Sequence, residues 1–161
     1  MAADDGVRAV VLTGAGRAFC VCDLRLAADT ASFACAFGKV ALVPDTAVSC
    51  YLVRELGYAR AFWLAASGRS IPAAEAYDLG LLNEVVPADD LPARAQDLAR
   101  LLAAGPARAL ALTKRQFRAV TEVSFEAALA TEARHQGDAG GHPDHVEGRT
   151  ALADKRAPRW A

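Results

Sequence analysis

The sequence predicts a mixed α/β fold in which strands and helices share residues 1–88 and helices alone occupy residues 89–161, as one continuous domain. Three observations carry this. Residues 7–13, "VRAVVLT", form a β-branched run closed by glycines, the pattern of a buried strand and a tight turn. After Pro44 the apolar residues change to helical spacing, with Val48, Leu52 and Leu56 ahead of a stop at Gly57. From Leu91 onward the pattern stays helical, broken only by glycine, proline or β-branched residues.

In chain order, residues 23–28 ("DLRLAA") read as a second strand and residues 32–37 as a third. The helix after Pro44 takes Asp45 or Thr46 as its N-cap, because a short oxygen-bearing side chain there can accept the free first-turn amides. "YARAFWLAASG" continues as a second helix, and "IPAAEAYDLGLL" as a third that starts at Pro72 and stops at Gly80. "NEVVP" is a strand. Helices are expected over residues 91–104, 106–120 and 125–135, and "QGDAGGHPDH" is expected to be a flexible loop.

Composition excludes several function classes. Hydrophobic residues make up 53% of the 161 and charged residues 23%, with a net charge of −1 and arginines interspersed with acids. No face suited to a polyanion is indicated, so nucleic acid is not an expected partner. The first residues are acidic where a secretory leader needs basic ones, and the apolar run after them is too short for a bilayer, so a cytoplasmic protein without membrane contact is expected. Cys20, Cys22, Cys35 and Cys50 are then expected as reduced, buried small hydrophobes.

The motifs that invite cofactor chemistry are weak. "LTGAGR" lacks the third glycine of a dinucleotide loop and the Lys-Ser/Thr of a phosphate loop, which leaves a turn. Cys20 and Cys22 are spaced too closely for the common zinc hook, and His135, His142 and His145 lie far along the chain, so no metal is expected. No histidine is placed near either thiol in sequence to activate it. Asp45 is different: a carboxylate at a helix start is held ionised by the dipole, and it serves equally as a cap or as a proton-abstracting base.

"VRAVVLTGAGRAFC", "CDLRLAADTASFACAFGKVALVPD", "ELGYARAFWLAASGRSIPAAEAYDLGLLNEVVPADDL", "LAAGPARALALTKR" and "DHVEG…KRAPRW", in this order, resemble the crotonase superfamily of enoyl-CoA hydratases and isomerases. The resemblance implies a spiral of β-β-α units with a helical C-terminal region used in trimer assembly. It also implies acyl-CoA thioesters of fatty-acid metabolism as substrates, with no further cofactor. Its shared chemistry is a thioester enolate held by two backbone N–H groups. One donor lies in a loop written roughly F-C-A-G-x-D-L, and the other at a glycine-rich helix start.

This chain is similar to a shortened member. The first donor motif begins at Phe19-Cys20, but Cys22-Asp23-Leu24 already matches the strand beyond the glycine-rich helix, so Cys22 is expected as a packed strand residue. The match leads one to expect that the internal segment and the N-terminal strands of the family are absent, and loss of one oxyanion donor costs about 10²–10³ in rate. Of the two hydratase glutamates, one falls in the missing stretch and the other matches Phe37. The resemblance implies isomerase-type proton transfer through Asp45, which matches the acid of "VPD-x-G-G". "PDTAVS" also resembles the aromatic acyl-CoA dehalogenases, where that aspartate is a nucleophile, and a catalytically inactive remnant that binds CoA weakly is the further alternative. Lys155 matches a lysine that approaches the CoA phosphates, and Trp160 either packs near the adenine or anchors the tail.

Overall fold

A computed structural model describes residues 6–14, 22–120 and 123–161 of the chain. The chain divides into two compact units, Val11–Leu98 and a second formed by Ala99–Ala161 with the stretch up to Val10. Each is described by itself.

The first unit is built on two two-stranded sheets. Strand β1 (Leu26–Ala28) pairs in parallel with β4 (Glu84–Val86), in the register Leu26 to Glu84, Ala27 to Val85 and Ala28 to Val86. A parallel pair needs a long crossover, and here everything between the two strands supplies it. Strand β2 (Ser32–Ala34) pairs antiparallel with β3 (Ser70–Pro72), placing Phe33 opposite Ile71. Helices α1 (Val48–Leu56), α2 (Tyr58–Ser67) and α3 (Ala73–Asp78) pack around these strands. Ile71 and Leu81 are completely buried, and Leu52, Leu56, Leu64, Ala73 and Ala76 close around them, as the period-3.6 apolar stripe of α1 and α2 requires. Arg69 lies over the Trp63 ring at 4.4 Å and pairs with Glu75, which ties the end of α2 to α3.

The second unit is helical. The division between the units falls within α4 (Leu91–Ala103), and α5 (Ala107–Ala119), α6 (Phe125–Gly140) and α7 (Pro143–Ala153) follow. Ser124 caps α6 by accepting the Ala127 amide at 3.3 Å, and His142 caps α7 through Nδ1 with Pro143 at the first helical position.

Several expectations need correction. Residues 7–14 form no strand, and Val7, Val10 and Leu12 are exposed, because both sheets pair other segments and a β-branched run without a neighbour has no ladder to join. The strand expected at 23–28 begins only at Leu26, so Cys22 is half-buried outside it, and the strand at 32–37 ends at Ala34 and passes into a 3-10 turn, Phe37–Val40. Pro72 caps α3 while also ending β3, a strand that the helical pattern concealed. The loop expected at "QGDAGGHPDH" is instead the end of α6 and the start of α7. Cys35 is buried as expected, but Cys50 is exposed on α1, while Cys20 lies outside the described residues.

Candidate functional site

Asp45 follows the 3-10 turn through a short apolar stretch. Ala41 closes that turn in the left-handed conformation, with its amide and that of Leu42 donating back to Gly38 and Phe37. Val40, Leu42 and Val43 then stand in solvent, Val43 at 79% exposure. Thr46 and Ala47 are both left-handed, with φ of 48° and 65°. This double reversal moves the helix start downstream. Ala47, not Asp45 or Thr46, is the N-cap of α1, and no side chain caps it.

The reason lies in the backbone path. The Val48 amide donates to the Asp45 carbonyl at 2.9 Å and the Tyr51 amide to the Ala47 carbonyl at 3.1 Å, so the Asp45 side chain is not used on the first-turn amides. Its carboxylate is exposed and, among the described residues, accepts a hydrogen bond only from the Thr46 hydroxyl, at 3.3 Å. Among the described residues it has no basic partner. Phe37, the residue matched to the second hydratase glutamate, is half-buried and packs against the core. Phe19 and Cys20, matched to the first oxyanion donor, lie outside the described residues.

Two features in this unit escaped the sequence reading. Asn83 brackets Arg25, accepting its amide at Oδ1 and donating its own amide to the Arg25 carbonyl, each at 2.8 Å. Arg25 in turn pairs with Glu55 of α1. An asparagine before a strand and a charge on each side of a helix are too common to be read as a contact without the fold.

Lys155 and Trp160 belong to the second unit, whereas Asp45 belongs to the first. Lys155 is exposed and left-handed, with φ of 53°, at the point where the chain leaves α7. The tail then turns back along that helix. Arg156 donates twice to the Glu147 carboxylate, at 2.6 and 3.0 Å, and the Arg159 amide adds a third bond at 2.7 Å. These donors, the Arg156 guanidinium first, hold the Glu147 carboxyl down at about 2. Trp160 is half-buried with its ring against Gly148. Among the described residues no three His, Cys, Asp or Glu side chains are grouped to share a metal ion, and no helix is long and apolar enough to cross a membrane.

Comparison with known proteins identifies the family and the fold. The family model for enoyl-CoA hydratase/isomerase matches residues 21–161. A protein named probable enoyl-CoA hydratase from Rhodobacter capsulatus is 38% identical over 138 residues, which cover 86% of this chain and 54% of that one. The 1,2-epoxyphenylacetyl-CoA isomerase of Escherichia coli is 36% identical, again over 86% of this chain and 53% of its own. The crystal structure of an enoyl-CoA hydratase from Polaromonas sp. JS666 superposes with a TM-score of 0.83 at 34% identity, covering 87% of this chain and 55% of that one. The fold is therefore crotonase-like, and the chain spans about half the length of the curated relatives it matches.

Proposed function

Because the chain belongs to the enoyl-CoA hydratase/isomerase family, we propose that it acts on acyl-CoA thioesters by isomerase-type proton transfer through Asp45. One observation carries this reading: an exposed carboxylate, hydrogen-bonded among the described residues only by the Thr46 hydroxyl, follows the exposed apolar residues Val40, Leu42 and Val43. A proton carrier beside an apolar surface suits an acyl chain with an acidic C–H. Asp45 removes a proton from C2 of a 3-enoyl thioester, and the C–H electron pair enters the conjugated dienolate. The carboxylic acid returns the proton at C4, which leaves the double bond between C2 and C3. Hydration needs a second acid, and Phe37 occupies the position that would carry it.

Lys155 and Trp160 serve in this reading as contacts for the CoA phosphates and adenine. Trimer assembly through the C-terminal helices belongs to it as well, supported by Phe125 and Leu129 standing exposed on α6, a helix with no buried residue. A cytoplasmic location completes it.

The test is turnover of a 3-enoyl-CoA, followed by absorbance of the conjugated product. Asp45→Asn and Asp45→Ala are expected to lower kcat by about 10²–10⁴. Equal conversion by the chain and both variants would end the proposal. A second reading, CoA binding without catalysis, is favoured by the order of residues in the chain, where Cys22-Asp23-Leu24 follows almost directly on Phe19-Cys20 and leaves no room between them for a glycine-rich helix start to donate to an enolate. Saturable heat on acyl-CoA titration, with no turnover, is its signature.

A further inference from the structure

Helix α7 carries His145, Gly148, Arg149 and Leu152 at spacings of three and four, so the four residues share one face. That face lines a cavity of about 300 Å³ within the second unit, bounded also by Pro106 and Ala109 of α5 and its cap. The Trp160 ring closes it. Gly148 makes room for that ring, since a Cβ there would meet it at 3.2 and 3.3 Å. The tail is fixed in this position by the Ala161 amide, which donates to Asp144 Oδ1 at 2.8 Å, and by the Arg156 and Arg159 bonds to Glu147.

The charged and polar groups at the wall differ in what they still offer. Asp144 is buried, with Oδ1 taken by the tail and Oδ2 closed off beside Nδ1 of His142 at 3.4 Å, so its carboxylate meets no ligand in the cavity. The same His142 nitrogen accepts the Asp144 amide as the cap of α7. Arg108 is committed to Asp138. Two side chains remain, the Arg149 guanidinium and the His145 imidazole, both exposed and one turn apart, and neither has a hydrogen-bond or ion-pair partner among the described residues. The first brings a permanent positive charge and a planar fork of donors, and the second a further N–H.

We infer that this cavity binds a small organic carboxylate, whose two oxygens accept from the Arg149 guanidinium and the His145 ring while its apolar body lies against Leu152 and Trp160. The guanidinium fork matches a carboxylate in shape as well as charge. The volume lies at the lower end of the range for small-molecule pockets, which limits the body to a single ring or a short branched chain. A cation would meet Arg149 with no accessible acid to offset it. A metal ion would find too few ligands, since among the described residues no three acids, histidines or cysteines are grouped to share one. The site lies within the second unit and does not rest on proton transfer by Asp45.

The experiment titrates the ¹⁵N-labelled full chain with sodium benzoate, reading the Gly148 amide and the Trp160 indole N–H, with benzyl alcohol and benzamidinium as controls. Saturable shifts of both resonances are expected while the Trp63 indole stays in place, with affinity at least about tenfold above benzyl alcohol and no saturation by benzamidinium. Arg149→Gln should weaken benzoate by about tenfold, to the level of the alcohol. Arg149 is exposed and unpaired, so this variant is expected to fold, and the preference for benzoate over the alcohol needs no variant at all. Coenzyme A, far larger than the cavity, should not displace benzoate. Absence of saturation, equal affinity for benzyl alcohol, an unaffected Arg149→Gln chain or displacement by coenzyme A would each overturn the inference.

Discussion

The Arg25 guanidinium reaches Glu55 Oε1 at 3.1 Å, which joins the residue just before β1 to the last turn of α1. Asn83 holds the Arg25 backbone from the other side, just before β4. One arginine thus links both strands of the parallel pair to the helix that follows Asp45. Arg25→Met should keep the aliphatic packing and remove the charge contact, lowering stability by about 1 kcal/mol, since Glu55 is one-third exposed and retains water. A urea titration checks this, and an unchanged midpoint would show that the pair contributes nothing.

Ala47 holds φ at 65° in the turn that presents Asp45, a conformation that costs an L-residue about 1–2 kcal/mol. Ala47→Gly should release most of that strain and raise stability by about 0.5–1 kcal/mol after the added unfolded-state entropy. Thermal unfolding measures it. A lower Tm would mean that the alanine methyl makes a contact which outweighs the strain.

Glu147 gives a pH signature. Its folded carboxyl sits at about 2, below its ordinary 4.5, chiefly through the Arg156 guanidinium and then the Arg159 amide. A depressed acid contributes stability that is fully present above 4.5 and is lost as pH falls toward 2. Glu147→Gln should therefore flatten the stability profile across that window and leave the two chains alike near its lower end. Parallel profiles of the two chains from neutral pH down would refute the assignment.

The helical glycines divide into two kinds. At Gly137 an added methyl meets nothing within 4 Å, so Gly137→Ala should stabilise α6 by about 0.5–1 kcal/mol. At Gly148 the methyl would meet the Trp160 ring at 3.2 and 3.3 Å. Gly148→Ala should therefore gain less and shift the indole emission, which Gly137→Ala should leave in place. Tm and fluorescence, read together, separate the two.

What could be read in the sequence was whatever local pattern alone decides. Helices α1 and α2 and strand β4 follow from apolar spacing, Gly57 and "EVVP". Residues 7–13 carry an equally good strand pattern, yet strand formation depends on a partner that a single stretch cannot specify. In "QGDAGGHPDH" the glycines suggested a loop, while two helices meet there with His142 and Pro143 forming the start of the second. Asp45 could be found as a residue, but its geometry could not: two left-handed residues, neither of them glycine, displace the cap to Ala47. The Arg156–Glu147 clasp spans nine positions of helix and tail, outside any helical period.

Pro72 ends β3 and caps α3, so no residue separates the strand register from the rotation of the helix. The two elements are geared together. Inserting a single residue after Pro72 would turn α3 by about 100° about its axis. Ala73 and Ala76, now completely buried, would then swing off the core while Phe33 still faced Ile71. This junction is where the chain should tolerate changes of residue far better than changes of length.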